Sequence, residues 1–150
     1  MSEPIKSVFT FFIIIFGFQL YGQNPIQDQH NDPAYLQSIS HFEAGRYEAA
    51  GVGFRHYLKT GKTTSFLVGA DFYLAQIDLK ANQNIQPMIQ FMNHHKVAPF
   101  YVKSLLALGN YHFDLKEYKN VMPYFYRITP NNLLESVYVN VRFKLAYSLY

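Results

Sequence analysis

Residues 105–132 read LLALGNYHFDLKEYKNVMPYFYRITPNN, two apolar stripes at helical spacing around a polar corner. Leu105, Leu108, His112 and Leu115 recur every three or four positions, which sets them on one face of a helix. Residues 114–117 break the run. Tyr118, Val121, Met122, Phe125 and Ile128 then make a second stripe, which Pro130-Asn131-Asn132 stops. The pattern predicts a helical hairpin, whose remaining apolar surface needs neighbours of the same kind. Pro123 lacks an amide donor and crowds the preceding turn, so the second helix is expected to be short or kinked.

The same rhythm recurs upstream. Tyr35, Leu36, Ile39 and Phe42 make one stripe, and Tyr47, Ala50, Phe54 and Tyr57-Leu58 make the returning one. Between them, Ala44-Gly45-Arg46 forms a turn in which Gly45 suits a left-handed cap. Asp32 and Pro33 open this hairpin, Asp accepting from free amides and Pro fitting the first turn. Gly51 and Gly53 weaken its second helix unless they admit a close backbone approach. A second hairpin covers residues 65–95, with Phe72, Ala75, Gln76 and Leu79 facing Ile85, Met88, Ile89 and Met92. Pro87 fits the first turn of its returning helix. A last helix begins near Leu133, with Val137, Val139, Phe143, Ala146, Tyr147 and Tyr150 as its apolar positions. It is apolar on two sides, which leads us to expect cover from further repeats or from a second copy.

The hairpin at residues 105–132 resembles a tetratricopeptide repeat. Leu108-Gly109, Tyr118, Phe125 and Pro130-Asn131 match that family's pattern, and Val121 stands where Ala is usual. The Ala-Gly-Arg-Tyr-Glu-Ala-Ala stretch beginning at Ala44 is closer still to its turn motif. The second hairpin matches least, with Asn82-Gln83-Asn84 for the Gly turn and Met88 for Ala. Post-turn residues Tyr47, Ile85 and Tyr118 lie 38 and 33 residues apart. Those separations bracket the family's period of about 34. The resemblance covers residues 33–150. It implies an all-α fold, a right-handed superhelical solenoid of antiparallel helix pairs, with three hairpins and one extra helix.

In such a solenoid the first helices of the pairs line the concave face. The resemblance thereby assigns a partner-binding groove to Tyr35, Phe42, Tyr73, Lys80, Lys103, Asn110, Asn140 and Tyr147, with Ile39, Ile77, Leu106, Phe113 and Phe143 beside them. The apolar members serve equally well as contacts with the next repeat. Packing does not require Lys80, Lys103, Asn110 or Asn140, so these carry the binding expectation. Some family members clamp a peptide's terminal carboxylate. Of those positions only Lys103 is kept here, with Tyr35, Ile39, Leu74 and Ala107 at the others, which argues against that mode. The expected partner is an extended or helical protein segment.

Composition narrows the alternatives. At 49% hydrophobic and 15% charged the chain is globular, and its 150 residues suit one domain. The net charge of +3 comes from scattered Lys and Arg, which is no nucleic-acid footprint. Phe and Tyr, 14 and 13 of them, fill helix seams or line a groove. With no Cys, disulfides, thiol catalysis and thiolate zinc sites are excluded.

Thr60-Gly61-Lys62-Thr63 mimics a phosphate-binding loop, but His56 stands where that loop needs Gly; Gly61 reads as a helix end. His94 and His95 are adjacent and diverge by about 100° on a helix, so they cannot chelate together. His41 and His112 recur at one place in the first and third hairpins and read as packing residues. Asp71 and Asp78 read as a solvated helix face. We therefore expect a protein that is not an enzyme and takes no cofactor, metal or small-molecule substrate.

Lys6 precedes an apolar run at residues 8–20 that ends in Tyr21-Gly22. The run is shorter than the ~20 residues of a spanning helix. It reads as a signal peptide over residues 1–22, cut before Gln23, then a polar linker over residues 23–32; an uncleaved signal anchor is the alternative. Export and the repeats together predict a bacterial scaffold or adaptor in the periplasm or cell envelope. The other expectation is the non-catalytic repeat portion of a longer protein, with an enzymatic or signalling domain beyond residue 150.

Overall fold

The computed structural model describes residues 32–96 and 99–149. The signal-peptide and linker expectations fall outside these residues, except for Asp32. Over the described residues the chain is all-α, without strands. The elements are α1 (Pro33–Glu43), α2 (Tyr47–Thr60), α3 (Thr64–Asn82), α4 (Gln86–His94), α5 (Phe100–Asp114), α6 (Tyr118–Phe125) and α7 (Glu135–Tyr147), with a 3-10 turn at Pro130–Asn132.

Local chemistry sets the boundaries. The Asp32 carboxylate accepts from the amides of Ala34 at 3.0 Å and Tyr35 at 3.4 Å, and Pro33 occupies the first turn of α1. Gly45 ends the α1 turn at φ +72°, where a side chain is strained. Its amide donates to Phe42 O at 3.0 Å, and that of Arg46 to His41 O at 2.9 Å. The third hairpin repeats both bonds: Lys116 to Phe113 O and Glu117 to His112 O, each 2.9 Å. Lys116 takes the left-handed position there, at φ +61°. Between α3 and α4 the left-handed residue is Gln83, and the Asn84 amide reaches back to Asp78 O at 3.0 Å. Gly61 ends α2 in extended backbone instead.

Links of three residues at 44–46, 83–85 and 115–117 force antiparallel hairpins. Consecutive helices pack on one another, and α3 also touches α1 and α5. Gly53 admits the close approach of α1, since a Cβ there would overlap the Ser38 hydroxyl.

The core falls into two clusters. Tyr35, Ala50, Phe54, Tyr57, Ala70 and Ile77 make the N-terminal one. The larger is centred on Met88, Leu105, Leu108, Val121 and Phe125, with Val141 and Leu145 of α7 closing it. Tyr73 packs against both.

Several stripe members turn out to be exposed: Leu36, Leu58 and Leu115. Leu115 caps α5 after the helix has ended, so it no longer shares the face of Leu108. On α7 the expectation chose the outward side. Val141 and Leu145 are buried, while Val139, Phe143 and Tyr147 are exposed. Of two apolar sides on one helix, only that of Val141 and Leu145 joins the core.

Candidate partner-binding face

The eight groove candidates divide among four environments. Tyr35 is a core residue, 5% exposed, with ring centroids of Phe54, Tyr57 and Phe66 at 5.8, 5.2 and 4.7 Å. Burial pushes its phenol pKa up. It leaves almost no surface for a partner.

Phe42 and Tyr73 are half-buried. Their rings lie 5.0 Å apart edge-on, and Tyr73 stacks on Phe54 at 5.0 Å. They form the seam that joins α1, α2 and α3, the packing alternative of their two readings. Burial raises the Tyr73 pKa, and the nearby Glu43 carboxylate adds to it.

Asn110 and Tyr147 lie where α5 meets α7, and Lys103 sits on α5 towards its other end. Asn110 Oδ1 accepts from Lys144 Nζ at 2.6 Å, and that ammonium lies 5.0 Å from the centre of the Phe113 ring. Tyr147 meets the rings of Phe113 and Tyr118 at 5.8 and 5.4 Å. Desolvation raises the Tyr118 phenol pKa, and a hydrogen bond with Tyr147 adds to it. Two turns before Asn110, Lys103 is exposed as a whole, with Nζ 5.4 Å from the Phe100 ring centre. Apolar atoms crowd its nitrogen and hold its pKa down. Lys80 and Asn140 are exposed on α3 and α7.

The residue that the sequence reading missed is Lys144. It falls 34 residues after Asn110, one repeat period on, and that spacing was the available signal. Arg127 does for another side of α5 what Lys144 does here: it lies 5.2 Å from the Tyr101 ring centre and donates to the Tyr101 hydroxyl. Among the described residues, no Lys or Arg lies within ion-pair distance of a carboxylate; both ion pairs involve His. Lys103 and Lys144 are thus held over aromatic rings of α5, Lys144 also by the Asn110 amide.

A cleft of about 490 Å³ between α3 and α4 is lined by Asp71, Asp78, Phe91, His94 and His95, among others. His95 Nε2 lies 3.6 Å from Asp71, whereas the His94 ring donates to Gln90 O at 2.7 Å. The two imidazoles are committed to different partners. Among the described residues, no three His, Asp or Glu groups are placed to hold a metal ion. No family model, curated protein or solved structure matches this chain significantly.

Proposed function

We propose that the chain is a tetratricopeptide-like solenoid that serves as an exported, non-catalytic scaffold, holding a segment of a protein partner along the α5–α7 face. The repeat reading draws support from the shared turn of the first and third hairpins. Gly45 and Lys116 occupy the same left-handed position with the same pair of hydrogen bonds. Their separation is close to two periods of ~34 residues. Contacts of α3 with α1 and α5 suit a stack whose first helices line one face.

One observation carries the binding assignment. Lys103 and Lys144 sit on aromatic rings of α5 with no carboxylate partner among the described residues. Lys103 and Asn110, the anchor of Lys144, are seven residues apart, about 10 Å along the helix. An extended chain of the polyproline II type advances about 3.1 Å per residue with three residues per turn, so carboxylates three residues apart share one face and match that spacing. The partner is therefore an extended segment with paired acidic side chains, and the rings of Phe113 and Tyr147 offer apolar contact beside them.

Fluorescence anisotropy with a labelled extended peptide carrying two Glu three residues apart tests this. The Glu peptide should bind, weaken as salt is added, and outbind its Gln counterpart. Lys103→Glu and Lys144→Glu should each weaken it about tenfold, or ~1.4 kcal/mol. Equal affinity for the Glu and Gln peptides would sink the assignment. Export has its own test: protein recovered from the envelope fraction should begin at Gln23 on N-terminal sequencing.

A further inference from the structure

The outward side of α7 remains after the core and the groove have taken their residues. Val139 and Phe143 are 59% and 65% exposed on it. Glu135, Val139, Arg142 and Ala146 follow one another at four-, three- and four-residue steps, Phe143 lies four after Val139, and all five are exposed. The opposite side carries the buried Val141 and Leu145. The face thus has an acid at its N-terminal end, a base towards its C-terminal end and an apolar centre.

We propose that this face pairs with the same face of a second copy, as an antiparallel two-fold helix pair crossing beside Val139. The charge order singles out this occupant. Glu135 lies about 6 Å before Val139 along the axis and Arg142 about 4.5 Å after it. A two-fold axis just before Val139 sets Glu135 of each copy opposite Arg142 of the other, twice per dimer. Val139 then meets its counterpart on the axis. Phe143 falls over Leu134 of the second copy, a side chain 40% exposed in the single chain. A parallel pairing would set Glu135 against Glu135 and Arg142 against Arg142. One short helix from each copy makes a small interface, so the dimer is weak and concentration-dependent. The pairing is independent of the groove reading, because Lys103 and Asn110 lie outside it.

Sedimentation of the 150-residue chain across a concentration series tests it. A monomer–dimer equilibrium is expected. Glu135→Arg and Arg142→Glu should each weaken dimerisation about tenfold, because the two-fold axis makes each change act twice. The double variant carrying both reversals should recover the wild-type affinity. Both side chains are exposed, so circular dichroism should show unchanged helix content. A monomer at every concentration overturns the proposal. So does association that ignores both single reversals, the behaviour expected if the apolar residues 8–20 drove it. Lys103→Glu should leave the dimer unchanged, which separates failure of this interface from failure of the groove.

Discussion

Gly109 lies beneath the Phe125 ring, and a Cβ at that position would overlap the ring's edge. In an isolated helix, Gly→Ala gains about 1 kcal/mol. Here the overlap wins, because the Phe125 ring is 1% exposed and packed on every side. Gly109→Ala should destabilise the fold by about 1–3 kcal/mol, seen as a lower thermal midpoint. A raised midpoint would show that α6 can retreat. Lys116 presents the reverse case, a side chain at φ +61° in the place that Gly45 holds in the first hairpin. Lys116→Gly removes the left-handed strain of about 1 kcal/mol and should raise the midpoint. Leu108-Gly109 was legible in the sequence because the pair belongs to a motif. Lys116 was not, since nothing in its side chain announces a left-handed backbone.

The hairpins themselves were the most legible elements, because apolar spacing and turn residues agree along most of the chain. Legibility failed where one helix carries two apolar faces. On α7, periodicity admits Val139 and Phe143 as readily as Val141 and Leu145, and only contact with α6 decides. The candidate site suffered in the same way. Tyr35 and Lys103 both sit on first helices, but only the structure shows one in the core and the other on the surface. The third hairpin adds a clasp that spacing alone does not reveal. His112 is buried, stacks on Tyr124 and donates through Nδ1 to the Glu117 carboxylate at 2.7 Å. That bond, with a second from Asn120, holds the Glu117 pKa below its ordinary value of 4.5. A depressed carboxyl pKa stabilises the fold above the ordinary carboxylate range, and the contribution is lost as pH falls through the folded value. Glu117→Gln should therefore flatten the fall in thermal midpoint on acidification and change little between pH 6 and 7. An unchanged acid slope would assign it to other carboxylates. The first hairpin has Arg46 at the corresponding place, and the buried Nδ1 of His41 lacks a hydrogen-bond partner. The clasp belongs to the third hairpin and not to its relative.

Across the whole molecule, the two core clusters meet at α3, with Tyr73 touching both. The clusters are joined through α3, so damage to one should spread unevenly to the other. Phe54 is fully buried in the N-terminal cluster, against Tyr35 and stacked on Tyr73. Phe54→Ala leaves a cavity there and costs about 3–5 kcal/mol locally. Hydrogen exchange should then show the amides of α1 and α2 losing protection first. Those of α5 and α6, held by Leu105, Leu108, Val121 and Phe125, should stay close to wild type. Phe125→Ala should do the reverse and also free α7, whose Val141 and Leu145 belong to that cluster. The cations of the proposed groove sit on α5 and α7, so Phe54→Ala should leave acidic-peptide binding largely intact, whereas Phe125→Ala should abolish it. Uniform loss of protection in both variants would mean that α3 couples the clusters into one cooperative unit. The binding face would then depend on the first hairpin as strongly as on its own.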